Sequence, residues 1–106
     1  ITKMYEITYL PIAKQDITEI IMYISNQLKA PKAAIKLLDV FGHSILLLQE
    51  FPYTHKIYRL TKPLEEEYRL LPIKNYAVFY VVREQHKIVE IHRVVYAKMD
   101  LSQILK

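Results

Sequence analysis

Cysteine is absent from the chain, which excludes a disulfide framework and a thiolate metal site and fits a reducing compartment. Glycine occurs once, at position 42, so a glycine-rich loop that cradles phosphate cannot be built. No stretch approaches ~18 uninterrupted apolar residues, and no charged-then-apolar leader opens the chain. The expectation is a cytoplasmic protein with no membrane span and no signal peptide. The four histidines, His43, His55, His86 and His92, share no ligand spacing, so neither a metal site nor a cofactor is expected. Ser25, Ser44 and Ser102 stand in helical or helix-edge contexts without a nucleophile signature, and the carboxylate triplet Glu65 to Glu67 reads as a solvated loop flank.

What is present is concentrated between Tyr68 and Val95. β-branched and aromatic residues crowd there into three short runs separated by Lys74-Asn75 and by Arg83-Glu84-Gln85-His86, the pattern of an antiparallel meander. In the middle run Tyr76, Val78, Tyr80 and Val82 fall on one face and Ala77, Phe79 and Val81 on the other. Both faces are apolar, so the strand needs cover from elsewhere in the chain, and packed helices are the simplest source.

Ile1-Thr2-Lys3 precede Met4, a candidate natural start, and residues 1–3 are set aside as a candidate added remnant. Met4 to Leu10 alternates well enough for one strand, closed by Pro11. Ala13, Ile17, Ile20, Ile21, Ile24 and Leu28 recur at helical spacing, with Lys14, Gln15, Thr18, Glu19 and Tyr23 outward. Pro31 suits the first turn of a second helix, in which Ala34, Leu37, Leu38, Phe41, Ile45 and Leu48 repeat the period up to Gln49. A short link makes the pair a helical hairpin, and Gly42 in mid-helix predicts a close contact there, since an unpacked glycine costs ~1 kcal/mol. Residues 53–66 show neither period and read as a loop with at most a short irregular strand, while residues 99–106 suit a short terminal helix. The fold class is α+β in the order β-α-α-β-β-β. An antiparallel-rich sheet packs against an N-terminal helical hairpin in one domain spanning residues 4–106, about 65% of whose unfolded surface is buried on folding.

The 52% hydrophobic share is high for so small a chain and predicts apolar surface left for a partner. Residues 1–50 carry five lysines against five acids, whereas residues 51–106 carry ten Lys or Arg against six, so the whole excess of +4 lies in the half that holds the meander. A basic sheet half favours an anionic or acidic partner. Arg69, Arg93, Tyr96 and Lys98, with His92 nearby, lie on or beside adjacent strands and form the candidate site. Such groups bind phosphate, and a phenol or ammonium near RNA assists proton transfer at a 2′-hydroxyl. The bland reading of the same residues is structural, with Arg69 and Arg93 supporting the sheet through Glu67 or Glu90.

Ala13, Asp16, Ile17, Ile20, Tyr23 and Ile24, then Pro52, Tyr68-Arg69, Asn75-Tyr76-Ala77-Val78-Phe79-Tyr80 and Ile91-His92-Arg93-Val94-Val95-Tyr96-Ala97-Lys98-Met99-Asp100, in this order, resemble the RelE/ParE superfamily of toxins. The resemblance implies the stable half of a toxin–antitoxin pair, neutralised by a cognate acidic antitoxin in a hetero-oligomer. RelE-like members cut messenger RNA on the ribosome and commonly carry an arginine where this chain has Ala77. The last strand resembles the ParE branch, known for poisoning DNA gyrase, with Tyr96 where that branch often has histidine and Met99 where a basic residue is usual. The resemblance therefore implies a gyrase poison that is no enzyme, with Arg69, Arg93, Tyr96 and Lys98 as target-binding residues. The alternatives are a ribosome-dependent endoribonuclease with Arg93, Tyr96 and Lys98 as catalytic candidates, and a non-toxic basic binding module.

Overall fold

The computed structural model describes residues 4–59 and 66–99. The chain opens with strand β1 (Glu6–Tyr9), runs into helix α1 (Pro11–Met22) and α2 (Pro31–Leu46), and ends in strands β2 (Arg69–Ile73), β3 (Tyr76–Arg83) and β4 (Ile88–Tyr96). Both helices begin on a proline, whose missing N–H costs nothing at that position. The first continues as one wider turn over Tyr23–Gln27 and the second tightens over Leu47–Gln49. Among the described residues, no helix is long and apolar enough to cross a membrane.

The four strands lie in the order β1-β4-β3-β2. The meander is antiparallel, with Leu71 opposite Val78 and Val78 opposite Val94. β1 adds to the far side of β4 in parallel, Glu6 against Ile88 and Tyr9 against Ile91, so the sheet is mixed. The Lys74-Asn75 break is a two-residue hairpin turn in which Lys74 takes a φ of 55°.

The two faces expected of the middle strand are both covered. On one, Val78 and Tyr80 of β3 pack with Ala13, Phe41, Ile45 and Leu48 of the helical layer and with Val89, Ile91 and Val94 of β4. The Tyr80 hydroxyl reaches the Pro52 carbonyl at 2.8 Å, and burial pushes this phenol up to about 12. On the other face Ala77, Phe79 and Val95 form a smaller core closed by Tyr58, Tyr68 and Leu70. The stretch before β2 thus supplies the second cover, and Ile57 makes one bridge to Arg69 at the sheet edge.

Two expectations change, and a third lies almost wholly outside the described residues. Among the described residues a Cβ on Gly42 would meet nothing within 4 Å, so no close contact among them accounts for this glycine. Leu28 and Leu38, assigned by period to buried stripes, are 56% and 45% exposed. The two-layer packing of this small molecule buries only the centre of each stripe. The terminal helix expected over residues 99–106 falls, apart from Met99, outside the described residues, as do residues 60–65 of the loop.

Candidate functional site

Asp16 lies on the apolar stripe of α1, one turn beyond Ala13, and is the buried charged side chain among the described residues. A carboxylate on such a face must find donors. It finds three on β4: Arg93 Nε donates to Oδ2 at 2.8 Å, Arg93 Nη2 to Oδ1 at 2.9 Å, and the Val94 N–H to Oδ2 at 2.9 Å. The strand is shaped for this contact. Tyr80 pairs with Ile91 but Phe79 pairs with Arg93, so His92 is an extra residue that bulges β4. β1 ends opposite Ile91, and beyond that point Asp16 takes the Val94 N–H. The fork–carboxylate bond holds the Arg93 guanidinium above its ordinary pKa.

This pair corrects the partner expected for Arg93, which was Glu90 or Glu67. Glu90 instead belongs to another network that sequence reasoning missed. Arg83 donates through both terminal nitrogens to Glu66 and through Nη2 to Glu90 at 3.0 Å, and His92 Nε2 lies 2.7 Å from Glu90. The bond from Arg83 holds the Glu66 carboxyl below its usual range. For Glu90 burial works against ionisation, but the bonds from His92 and Arg83 outweigh it and the pKa falls. Glu66, Glu90 and His92 are also the described residues whose ligand atoms come within 4.8 Å of one another. Arg83 already supplies the cation between these carboxylates.

Between α1 and the end of β4 lies a cleft of about 650 Å³, lined by Asp16, Glu19, Tyr23, Tyr76, Arg93 and Tyr96 with apolar neighbours. The Tyr76 and Tyr96 rings meet edge to face, 5.9 Å between centroids. Burial, then the nearby Tyr96 and Tyr23 phenols, raise the pKa of Tyr76. Of the four expected site residues, the structure brings Arg93 and Tyr96 to this cleft. Lys98 stands exposed in the turn that follows β4. Arg69 is elsewhere, on β2 with β3 between it and β4. It donates to the His55 carbonyl at 2.8 Å, lies 3.5 Å from Glu67, and rests 4.9 Å over the Tyr53 ring. That is the environment of a supporting residue, with Glu67 the partner named from sequence.

For Asp16 a sequence signal existed. A lone acid on an apolar helical stripe calls for a buried cation, and Asp16 with the late-strand Arg93 satisfies that condition.

Residues 7–101 match the family model of the ParE toxin of type II toxin–antitoxin systems, parDE. Among solved structures, the chain is similar to one of the chromosomal ParDE toxin–antitoxin system from P. aeruginosa, with TM-score 0.73 and 17% identity over 92% of this chain and 100% of that one. It is also similar to a chain of the toxin–antitoxin complex RelBE2 from Mycobacterium tuberculosis, with TM-score 0.58 and 18% identity over 88% and 98% of the two chains. No curated protein matches the sequence.

Proposed function

The chain belongs to the ParE toxin family of type II toxin–antitoxin systems, and from that membership we propose that it arrests growth by poisoning DNA gyrase and is held in check by an acidic antitoxin. The observation that carries the choice of target is the disposition of the cations. RNA cleavage without a metal needs positive charge aimed at the pentacoordinate phosphorus. Here Arg93 is bound through two nitrogens by Asp16, Arg83 is shared by Glu66 and Glu90, and Arg69 is engaged by His55 and Glu67. Ala77, at the position where the RNA-cleaving branch carries arginine, is buried in the smaller core. Such a surface suits recognition of a macromolecule better than transition-state stabilisation.

The antitoxin reading rests on exposed apolar side chains of the helical layer. Ile35, Leu38, Leu46 and Leu47 are 63%, 45%, 54% and 60% exposed, and an amphipathic segment laid over them would remove this area from water. Acidic residues in that segment would offset the net charge of +4. The purified chain is expected to accumulate cleaved gyrase–DNA complexes on supercoiled plasmid, and co-purified antitoxin to prevent it. Cleavage of ribosome-bound messenger RNA with gyrase unaffected is the result that would favour the RelE-type activity instead.

A further inference from the structure

The cleft beside Arg93 carries a charge opposite to that of the molecule around it. Asp16 and Glu19 bring two carboxylates to its lining and Arg93 one cation, so the wall is net negative on a chain of net charge +4. Asp16 takes two nitrogens of that cation. Glu19 accepts from the neutral Gln15 amide at 3.0 Å; its charge acts on the nearby Arg93 guanidinium, which is forked to Asp16, and among the described residues no cation is in ion-pair contact with Glu19. Three phenol rings, Tyr23, Tyr76 and Tyr96, share the same wall, and ring faces attract cations. Tyr23, Leu28 and Met99 are 55%, 56% and 54% exposed at this cleft, which leaves apolar surface uncovered beside the negative charge.

We propose that this cleft docks a protein segment that presents one lysine or arginine side chain next to an apolar residue. The cation lies between the phenol rings and the Glu19 carboxylate, and its apolar neighbour covers Leu28 and Met99. Arg93 does not select an anion here, because an incoming carboxylate or phosphate would meet Glu19 while Asp16 already occupies the guanidinium fork. This assignment of ligand chemistry stands whether or not gyrase is the target.

Capped peptides of the form leucine–X–leucine, with X arginine, glutamine or glutamate, test it by amide chemical-shift mapping on the intact chain at low salt. The arginine peptide is expected to shift signals of Glu19, Tyr23, Tyr76 and Tyr96 with a Kd on the order of 1 mM and to weaken with added salt. Glu19→Gln and Tyr96→Ala should each weaken it roughly threefold, with melting temperatures unchanged. Equal binding of the glutamine peptide, preference for the glutamate peptide, shifts confined to other surfaces, or undiminished affinity in Glu19→Gln would each overturn the proposal.

Discussion

Arg93 illustrates how a residue of functional appearance is held by structure. Its guanidinium meets Asp16 across 77 positions of sequence, and the same carboxylate takes the buried Val94 N–H. Replacing Asp16 with Ala strands all three donors, so a loss of about 1–3 kcal/mol is expected in chemical denaturation. Arg93→Ala should cost less, because Val94 still donates to Asp16 and the arginine is partly exposed. The double variant should cost less than the sum, since the two act as one unit. Tyr96 and Lys98 differ: both are exposed at the end of β4, and Tyr96 lines the cleft. Alanine at either position is expected to abolish growth arrest while leaving the melting temperature within a degree or two; full toxicity in both variants would remove this rim from the mechanism. Gly42 makes a third case. Because its Cβ would enter open space inside a helix, Gly42→Ala should raise stability by up to about 1 kcal/mol, and a loss would mean that something not visible at this position needs the glycine.

At the scale of elements, periodicity revealed a great deal. The three runs from Tyr68 to Val95 form the meander with the faces their alternation predicts, and the two apolar stripes form the helices. The parallel pairing of β1 with β4 was not legible, because register between strands some 80 residues apart depends on long-range packing rather than local pattern. The bulge at His92 was hidden for the same reason: it is defined only relative to β3. Nor could the sequence show which acid meets which arginine. The carboxylates that join elements set the acid behaviour. Glu84 accepts from Lys87 and from the Tyr5 and Tyr53 hydroxyls, each phenol at 2.6 Å, and is pulled down to about 2, while Glu66 and Glu90 are also depressed. Groups with depressed folded pKa values contribute fully above the unfolded value and lose that contribution as pH falls through the folded one. The melting temperature should therefore begin to fall below about pH 6.5, where the unfolded chain protonates His55 more readily than the folded one, and decline further from about pH 5 towards pH 2, this second part less steeply in Arg83→Gln. Tyr80 has the opposite sign. Its raised pKa of about 12 predicts that stability also falls as pH rises above about 10, a decline that Tyr80→Phe should lessen without abolishing, since the Tyr9, Tyr53 and Tyr76 phenols are raised as well.

For the whole molecule, charge and apolar exposure divide the surface into separate jobs. The excess of basic residues follows the sheet half, the exposed Ile35, Leu38, Leu46 and Leu47 mark the helical layer, and a negative aromatic cleft lies where α1 meets the end of β4. The proposed action of this toxin on gyrase is decided by inducing the chain alone in growing cells and pulse-labelling DNA and protein in parallel. DNA synthesis should fall first, with a damage response, while protein synthesis continues. An immediate stop in protein synthesis, with DNA labelling sustained and ribosome-bound messages cut, would mean that gyrase is not the target.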